Sequence, residues 1–195
     1  MDDLELMRRI AAGDSAALKT LVERFQVKVL NFCVRLLGTR QNAEDAAQEV
    51  FFQVYRSAAA FRGDCLVSTW IYRIAVNRCH NFNRDNKKFQ GLSAIPRVLQ
   101  DELRDGEAPG HLPGPESAWI EEELKKLTRQ AIASLPEKQK SMLILHQYEG
   151  HSYKEIAEIL DVSLSSVESG LHRAKINLQK RLSPHVREFL RGRKL

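Results

Sequence analysis

Apolar residues recur at helical spacing in the first part of the chain and predict two successive helices. The first is short, with Leu4, Met7 and Ile10 on one side, and Gly13-Asp14 ends it and caps the next helix. The second extends to Leu37, and Gly38 stops it. Its stripe is continuous and consists of Leu18, Leu21, Val22, Phe25, Val29, Phe32, Cys33 and Leu36. This length of stripe predicts a long core helix.

A third helix is predicted after Asn42, which is expected to cap it. Its apolar side begins with Ala43 and Ala46 and continues to Ala58. The opposite side carries Asp45, Gln48, Glu49 and the exposed-looking Phe52. Two interpretations remain open for this acidic and amide patch. The first is a solvated face whose acids lie near the helix N-terminus, where the helix dipole stabilises them. The second is a docking surface for a basic partner.

Between residues 60 and 85 the pattern predicts a helix break, a loop and a fourth helix. Phe61 to Asp64 break the helix, Cys65 to Ser68 form the loop, and Ser68 or Thr69 caps the fourth helix. The polar side of the fourth helix is a stripe of Arg73, Asn77, His80, Asn81 and Arg84. Binding of single-stranded nucleic acid requires cations for the phosphates, amides that can read bases, and an aromatic ring nearby, and this segment supplies all three. The alternative is that the aromatic residues, Phe61 and Trp70, belong to the core.

Helical periodicity fails from residue 86 to 115, where proline and glycine cluster, and this stretch is predicted to be a linker. The pattern resumes at Glu116, restarts after Pro136 and stops at Gly150. Four helices are therefore expected in a second domain. No strand pattern is present, so the predicted fold class is all-α, with domains at 1–85 and 116–195.

The stretch from Ser152 to Lys180 predicts two helices joined by a tight turn. Ser152 and Glu155 form a capping box, and the first helix stops at Asp161 to Ser163. Ser163 can cap a longer helix with Val167, Leu171, Ala174 and Leu178 on its apolar side. Its other faces carry Ser165, Ser166, Glu168, Ser169, His172, Arg173 and Lys175. This is the helix-turn-helix pattern, whose second helix reads the major groove; the alternative is an ordinary helical hairpin.

Composition narrows the function classes. The chain has 195 residues and a formal net charge of +5, which permits binding to a polyanion. No apolar run approaches the roughly 20 residues that span a bilayer, and no signal-peptide core is present, so a cytoplasmic protein without membrane insertion is expected. Three cysteines lack CxxC spacing, and the histidines lack zinc-site spacing, so neither a disulfide framework nor a metal or cofactor is predicted.

Three motifs together resemble the extracytoplasmic-function (ECF) group of the bacterial sigma-70 family. They are NAEDAAQEVFFQVY at residues 42–55, FRGDCLVSTWIYRIAVN at 61–77, and LPEKQKSMLILHQYEGHSYKEIAEILDVSLSSVESGLHRAK at 135–175. The first is similar to the segment of region 2 that grips the polymerase β′ clamp, and the second to the segment that opens and reads the −10 promoter element. The third is similar to region 4, which reads the −35 element. The resemblance covers nearly the whole chain.

The resemblance implies roles for the matching residues. Asp45, Gln48, Glu49 and Phe52 are expected to contact core RNA polymerase. The −10 element is assigned to Phe61, Gly63, Asp64, Cys65, Arg73, Asn77 and Asn81. The −35 element is assigned to Ser165, Ser166, Glu168, Ser169, His172, Arg173 and Lys175. The implied partners are core polymerase, through its β′ clamp and β flap, promoter DNA and an anti-sigma factor.

Two departures from the family pattern bear on promoter preference. Glu168 and Gly170 stand where many relatives carry basic residues, which implies a missing phosphate or guanine contact. Cys65 occupies a loop position that is often serine, so the base preference of the −10 pocket is not carried over.

Two other classes of protein compete with a sigma factor. The first is a helix-turn-helix regulator of the response-regulator or quorum type, whose N-terminal domain usually alternates strands and helices. The second is a nucleic-acid enzyme, for which no carboxylate cluster, nucleophile with a base, or phosphate-binding loop can be assembled.

Overall fold

The computed structural model describes residues 1–89 and 115–192, with side chains for 1–86 and 122–184. All regular structure in these ranges is helical. The α-helices are α1 (Asp3–Ala11), α2 (Ser15–Leu37), α3 (Arg40–Ser57), α4 (Val67–Phe89), α5 (Pro115–Ala133), α6 (Glu137–Gln147), α7 (Tyr153–Leu160) and α8 (Leu164–Gly192), with a 3₁₀ turn at Ala58–Ala60. We call α1–α4 the N-terminal module and α5–α8 the C-terminal module.

The junction of α1 and α2 forms as its sequence predicts. The Asp14 carboxylate accepts hydrogen bonds from the backbone N–H groups of Ala16 at 2.9 Å and Ala17 at 3.1 Å. The bond from Ala17, followed by the contact with Arg9, holds the pKa of Asp14 below its ordinary value. At the far end, Gly38 adopts φ +82° and donates to the Val34 carbonyl. The predicted start and stop of α2 are confirmed.

The predicted caps of α3 and α4 were wrong. Thr39, in extended backbone, caps α3 and accepts from the N–H of Asn42, so Asn42 already lies inside the helix. The fourth helix begins at Val67, before both predicted caps, and Thr69 is buried within it. Val67 is itself buried, so tertiary packing helps to order the first turn of α4.

The N-terminal module has α2 at its centre, packed against α1, α3 and α4. Leu21, Val29, Phe32, Val50 and Ile71 are fully buried where these helices meet. Trp70 is half-buried at the edge of this core. The sides of α3 and α4 that face away from α2 lie outside this core and can contact the C-terminal module or another molecule.

The helix-turn-helix of the C-terminal module is confirmed in its local detail. Ser152 and Glu155 form the predicted capping box at the start of α7, and Asp161 ends that helix with φ +52°. The Ser163 hydroxyl accepts from the N–H of Ser166 at 3.2 Å, as expected of a cap for α8. Gly170 faces Met142 of α6, and a Cβ built there would lie 2.3 Å from the Met142 sulfur. The glycine therefore allows α6 and α8 to approach closely.

The two modules pack directly against each other, with α4 against α7 and α2 against α6. Ile144, Leu145 and Ile156 of the C-terminal module belong to the same apolar cluster as Phe32 and Ile71. We call this interface the seam. Residues 90–114 of the predicted linker lie outside the described residues. None of the described helices is long and apolar enough to cross a membrane.

Candidate nucleic-acid interface

The acidic patch predicted on α3 lies on the solvent side of that helix. Asp45, Gln48, Glu49 and Phe52 are all exposed, and Phe52 retains 56% of its accessible surface. Glu49 pairs with Arg78 of α4 at 2.9 Å. We call these four residues the α3 patch. The Arg56 guanidinium lies over the Phe52 ring, 5.5 Å from its centroid. Two carboxylates, an amide and an exposed ring suit a partner that presents cations beside an apolar surface.

The loop before α4 has a shape that depends on one glycine. Gly63 has φ +80°, a conformation that side chains rarely adopt, and Asp64 beside it pairs with Arg62 at 3.3 Å. Cys65 is half-buried, and burial raises the pKa of its thiol. Phe61 is half-buried and packs on the ring of Trp70 with 5.1 Å between centroids. The aromatic pair thus combines core packing with a partly open ring face.

The polar stripe on α4 divides into two groups. Asn77 and Arg84 are exposed, and Asn81 is half-buried. Arg73 and His80 are instead held by the C-terminal module. Arg73 donates to a backbone carbonyl of α7 at 2.6 Å, and the His80 ring lies 2.8 Å from the hydroxyl of Ser141. The stripe predicted from spacing is therefore only partly available in this arrangement.

On the outer face of α8, every residue that the sequence assigned to DNA binding is exposed. Its seven assigned residues are all exposed, namely Ser165, Ser166, Glu168, Ser169, His172, Arg173 and Lys175. Val167, Leu171 and Ala174 are buried on the other side. Arg173 donates to the carbonyl and the hydroxyl of Ser169 at 3.2 and 3.1 Å, so its guanidinium is oriented before any DNA arrives. Gly170 lies on the inner side against Met142.

The structure also joins residues to which the sequence pattern assigned no function. Tyr72 of α4 donates to the carboxylate of Glu149, which also pairs with Arg35 of α2 at 3.8 Å. His151 packs edge-on against Tyr72, with 4.8 Å between ring centroids. These residues are far apart in sequence, and no local motif marks them.

The cysteines and histidines form no metal centre among the residues that the structure describes, since no group of three or more suitable ligands converges there. Cys33 and Cys79 are buried free thiols with 3.6 Å between their sulfur atoms. The side chain of His146 is hydrogen-bonded to the backbone carbonyl of His151 at 3.1 Å.

Comparison with known proteins identifies the family of this chain. The family model for Sigma-70 region 2 matches residues 21–89, and that for Sigma-70, region 4 matches residues 125–178. The RNA polymerase sigma-H factor of Pseudomonas aeruginosa is 33% identical over 186 residues, covering 95% of this chain and 96% of that protein. The chain belongs to the sigma-70 family. It is an ECF sigma factor, which binds core RNA polymerase and directs promoter-specific transcription initiation.

A second relative agrees with this assignment, and two solved structures share the fold. The ECF RNA polymerase sigma-E factor of Escherichia coli K12 is 32% identical over 187 residues, covering 96% of this sigma factor and 97% of its own length. The fold resembles CnrH in complex with the cytosolic domain of CnrY, with a TM-score of 0.67, 20% identity, and coverage of 93% and 97% of the two chains.

The second structure is the sigma factor RpoE in complex with the anti-sigma factor NepR from Bartonella quintana. Its TM-score is 0.66 at 19% identity, and the match covers 85% of this chain and 96% of that chain. The match of the N-terminal half to region 2 disfavours the response-regulator alternative, because that alternative requires a different first domain.

Proposed function

We propose that this sigma factor divides its work among three surfaces: the α3 patch docks on the β′ clamp of core polymerase, the loop after Phe61 together with α4 captures the −10 element, and the outer face of α8 reads the −35 element. The observation that carries this proposal is the exposed polar face of α8, presented by a capped helix-turn-helix. Seven polar or charged side chains along one exposed helix face suit the major groove.

The −35 contacts on α8 combine two kinds of side chain. Arg173 and Lys175 supply cations for phosphates, which position the helix without reading sequence. Ser165, Ser166 and Glu168 lie nearer the helix N-terminus, where side chains reach base edges. Glu168 accepts hydrogen bonds and repels phosphates, so it favours a base edge with a donor, such as the amino group of cytosine.

Capture of the −10 element requires an unstacked base. Extruding a base costs a few kcal/mol, which stacking and hydrogen bonds in a protein pocket offset. Phe61 offers a ring, Gly63 to Cys65 offer a loop with accessible backbone, and Asn77 offers an exposed amide. The protein acts through these contacts with no chemistry of its own, polymerase supplies the catalysis, and the site of action is the cytoplasm.

An anti-sigma factor is proposed as a further partner. This proposal is supported by the fold shared with RpoE, which was solved bound to the anti-sigma factor NepR. A partner of this kind that covers the α3 patch competes with polymerase, since both occupants require the same exposed surface. An anti-sigma factor that covers the −10 surface would instead inhibit by blocking promoter DNA.

Run-off transcription tests the function as a whole. Purified sigma factor is added to core polymerase on fragmented genomic DNA, and the 5′ ends of the transcripts are mapped. We expect a small set of start sites that share sequences near −10 and −35 and that disappear when the sigma factor is omitted. Start sites that do not depend on the added sigma factor would contradict the proposed promoter-directing role.

A further inference from the structure

The first helix of the chain contacts the loop that precedes α4. We call residues 61–66 the −10 loop, after the role proposed for it above. The loop turns at Gly63, where φ is +80°, and a Cβ built at this glycine would lie 3.5 Å from a methyl carbon of Leu4 on α1. This is an ordinary van der Waals distance. Leu4 is 38% exposed, so it lies at the edge of the core, where it can serve the loop.

Helix α1 also packs against the segment that leads into the −10 loop. The 3₁₀ turn Ala58–Ala60 lies directly before Phe61 and packs on α1, with Ala58 buried. The N–H of Phe61 donates to the carbonyl of Ala58 at 3.1 Å, which ties the start of the loop to this turn. One helix therefore supports both the entry of the loop and its turn at Gly63.

The two ends of the −10 loop are held by Trp70 of α4. The Trp70 ring packs on Phe61 with 5.1 Å between centroids, and the Trp70 N–H donates to the carbonyl of Leu66 at 3.1 Å. In the middle of the loop, Arg62 and Asp64 form an ion pair whose two side chains are exposed. Exposed ion pairs contribute little to stability. Apolar support for the middle of the loop therefore comes from α1.

Helix α1 is fixed well enough to give this support. Its inner face packs in the core through three buried side chains, namely Leu6, Met7 and Ile10. Its start is held by Arg24 of α2, which pairs with Asp3 and donates to the carbonyl of Met1 at 3.3 Å. Leu4 follows directly after Asp3, so the residue that contacts the loop stands beside the anchored end of the helix.

We infer that α1 is a positioning element for the −10 loop: Leu4 holds the turn at Gly63, and the pair between Asp3 and Arg24 holds Leu4 in place. The inference rests on the proposed −10 role of the loop. A loop that is already held in one conformation binds an extruded base without the cost of being ordered first. Leu4 acts through the loop and does not itself contact DNA.

The first test measures how firmly the −10 loop is held in the full chain. Cys65 lies in the loop and is half-buried, and burial raises the pKa of its thiol. Mass spectrometry follows its alkylation by iodoacetamide, and urea unfolding verifies that each variant is folded. Leu4→Ala should speed this alkylation, because a loosened loop exposes the thiol. Val27→Ala, which shortens a 64% exposed side chain on α2, is the control and should react as wild type does.

A conservative change and a second site separate positioning from general loss of stability. Leu4→Met should restore the wild-type rate, since the flexible methionine side chain can refill the contact. Arg24→Ala removes the anchor of α1 and should speed alkylation by a smaller factor than Leu4→Ala, because the contact with Gly63 remains. It also serves if Leu4→Ala does not fold. Lys19→Ala is its matched control, since Lys19 pairs at 3.9 Å with Glu23 of its own helix and leaves α1 untouched.

The second test measures DNA binding by holoenzyme assembled from full-length sigma factor and core polymerase. The probes come from a mapped promoter, a single strand carrying the −10 element and a duplex carrying the −35 element. If the loop of Leu4→Ala is in its binding conformation about one-fifth of the time, −10 affinity falls about fivefold. Binding to the −35 duplex should not change, and Leu4→Met should bind both probes as wild type does.

Asn77→Ala, which alters the exposed side of α4 directly, separates failure of this inference from failure of the proposed function. If Asn77→Ala weakens −10 binding and Leu4→Ala does not, the positioning role is overturned and the −10 assignment stands. Equal losses of −10 and −35 affinity in Leu4→Ala would also overturn the positioning role. If Leu4→Ala speeds alkylation of Cys65 but neither variant changes −10 affinity, α1 still supports the loop and the −10 assignment is contradicted.

Discussion

At the scale of single residues, the start of α7 shows how a local motif creates both structure and a pH response. The Glu155 carboxylate accepts from the hydroxyl and the N–H of Ser152 at 2.7 and 2.8 Å, and the Ser152 hydroxyl accepts from the Glu155 N–H. These bonds from Ser152 lower the pKa of Glu155. The folded state therefore gains stability from ionised Glu155 above its ordinary pKa. That gain is lost as the pH falls through the lowered value.

Ser152→Ala tests this capping box. We expect the variant to lose about 1 kcal/mol of unfolding free energy at pH 7, because the helix loses its N-cap. Its stability should also decline less on acidification than that of wild type, because the pKa of Glu155 returns towards the ordinary value. Urea unfolding at a series of pH values measures both effects. Ser165→Ala, at an exposed site on α8, is the control, and parallel pH profiles for wild type and Ser152→Ala would refute the linkage.

Glu168 is the residue on α8 whose charge we expect to bear most directly on promoter preference. Glu168→Arg should change the preferred −35 sequence towards guanine, because a guanidinium can donate two bonds to that base. Selection from a randomised promoter library measures the preference. Glu23→Arg makes the same charge change at an exposed site on α2 and should alter overall affinity only. An unchanged preference for Glu168→Arg would remove Glu168 from the base-reading surface.

At the scale of elements, α3 has a buried face that packs in the core and, opposite to it, the exposed face that we propose for docking. Asp45→Lys should weaken binding to core polymerase by about 2–5 kcal/mol, since a cation then replaces one partner of a buried charge pair. Glu44→Lys is the matched control, because Glu44 is the exposed neighbour that pairs with Arg40 on the same helix. Titration of labelled core polymerase gives the affinity, and circular dichroism verifies the helices. Equal losses for both variants would indicate general electrostatics instead of a specific patch.

The loop before α4 and the exposed side of that helix are proposed to act together in melting. We expect Asn77→Ala, or a foreign loop grafted over Cys65 to Val67, to reduce open-complex formation while binding through the −35 element survives. Asn31→Ala removes an exposed amide from α2 and serves as the control. Permanganate footprinting on duplex and pre-melted promoters separates melting from binding. Normal melting by both variants would assign this segment to core and linker roles only.

At the scale of the whole molecule, the net charge of +5 is modest, so local basic groups must supply most phosphate contacts. Arg173→Ala or Lys175→Ala should weaken binding to all promoters similarly and reduce the slope of log affinity against log salt by about one unit each. Fluorescence anisotropy across a salt series measures the slope. Lys19→Ala, at an exposed position of α2, is the control. A selective loss at some promoters with no change in slope would assign the residue to base reading.

Much of the architecture was predictable because it depends on neighbours in sequence. Asp14, Gly38 and Ser152 act within a few residues of themselves, and their roles as helix starts and stops are confirmed. The caps of α3 and α4 were not predictable in the same way. Packing of Val67 helped to order the start of α4 ahead of either predicted cap, and Thr39 supplied a cap that the pattern had passed over in favour of Asn42.

The sequence by itself determined the helices, the helix-turn-helix and the exposed polar face of α8, since periodicity and capping are local interactions. Only the tertiary structure decided which polar residues face solvent and which face the seam. Tyr72 and Glu149 are 77 residues apart, and Lys140 reaches a carbonyl 104 residues away. No helical period encodes such distances. Arg73 and Asn77 are four residues apart on the same predicted polar stripe, so the sequence does not distinguish them. The fold nevertheless ties Arg73 to α7 and leaves Asn77 exposed.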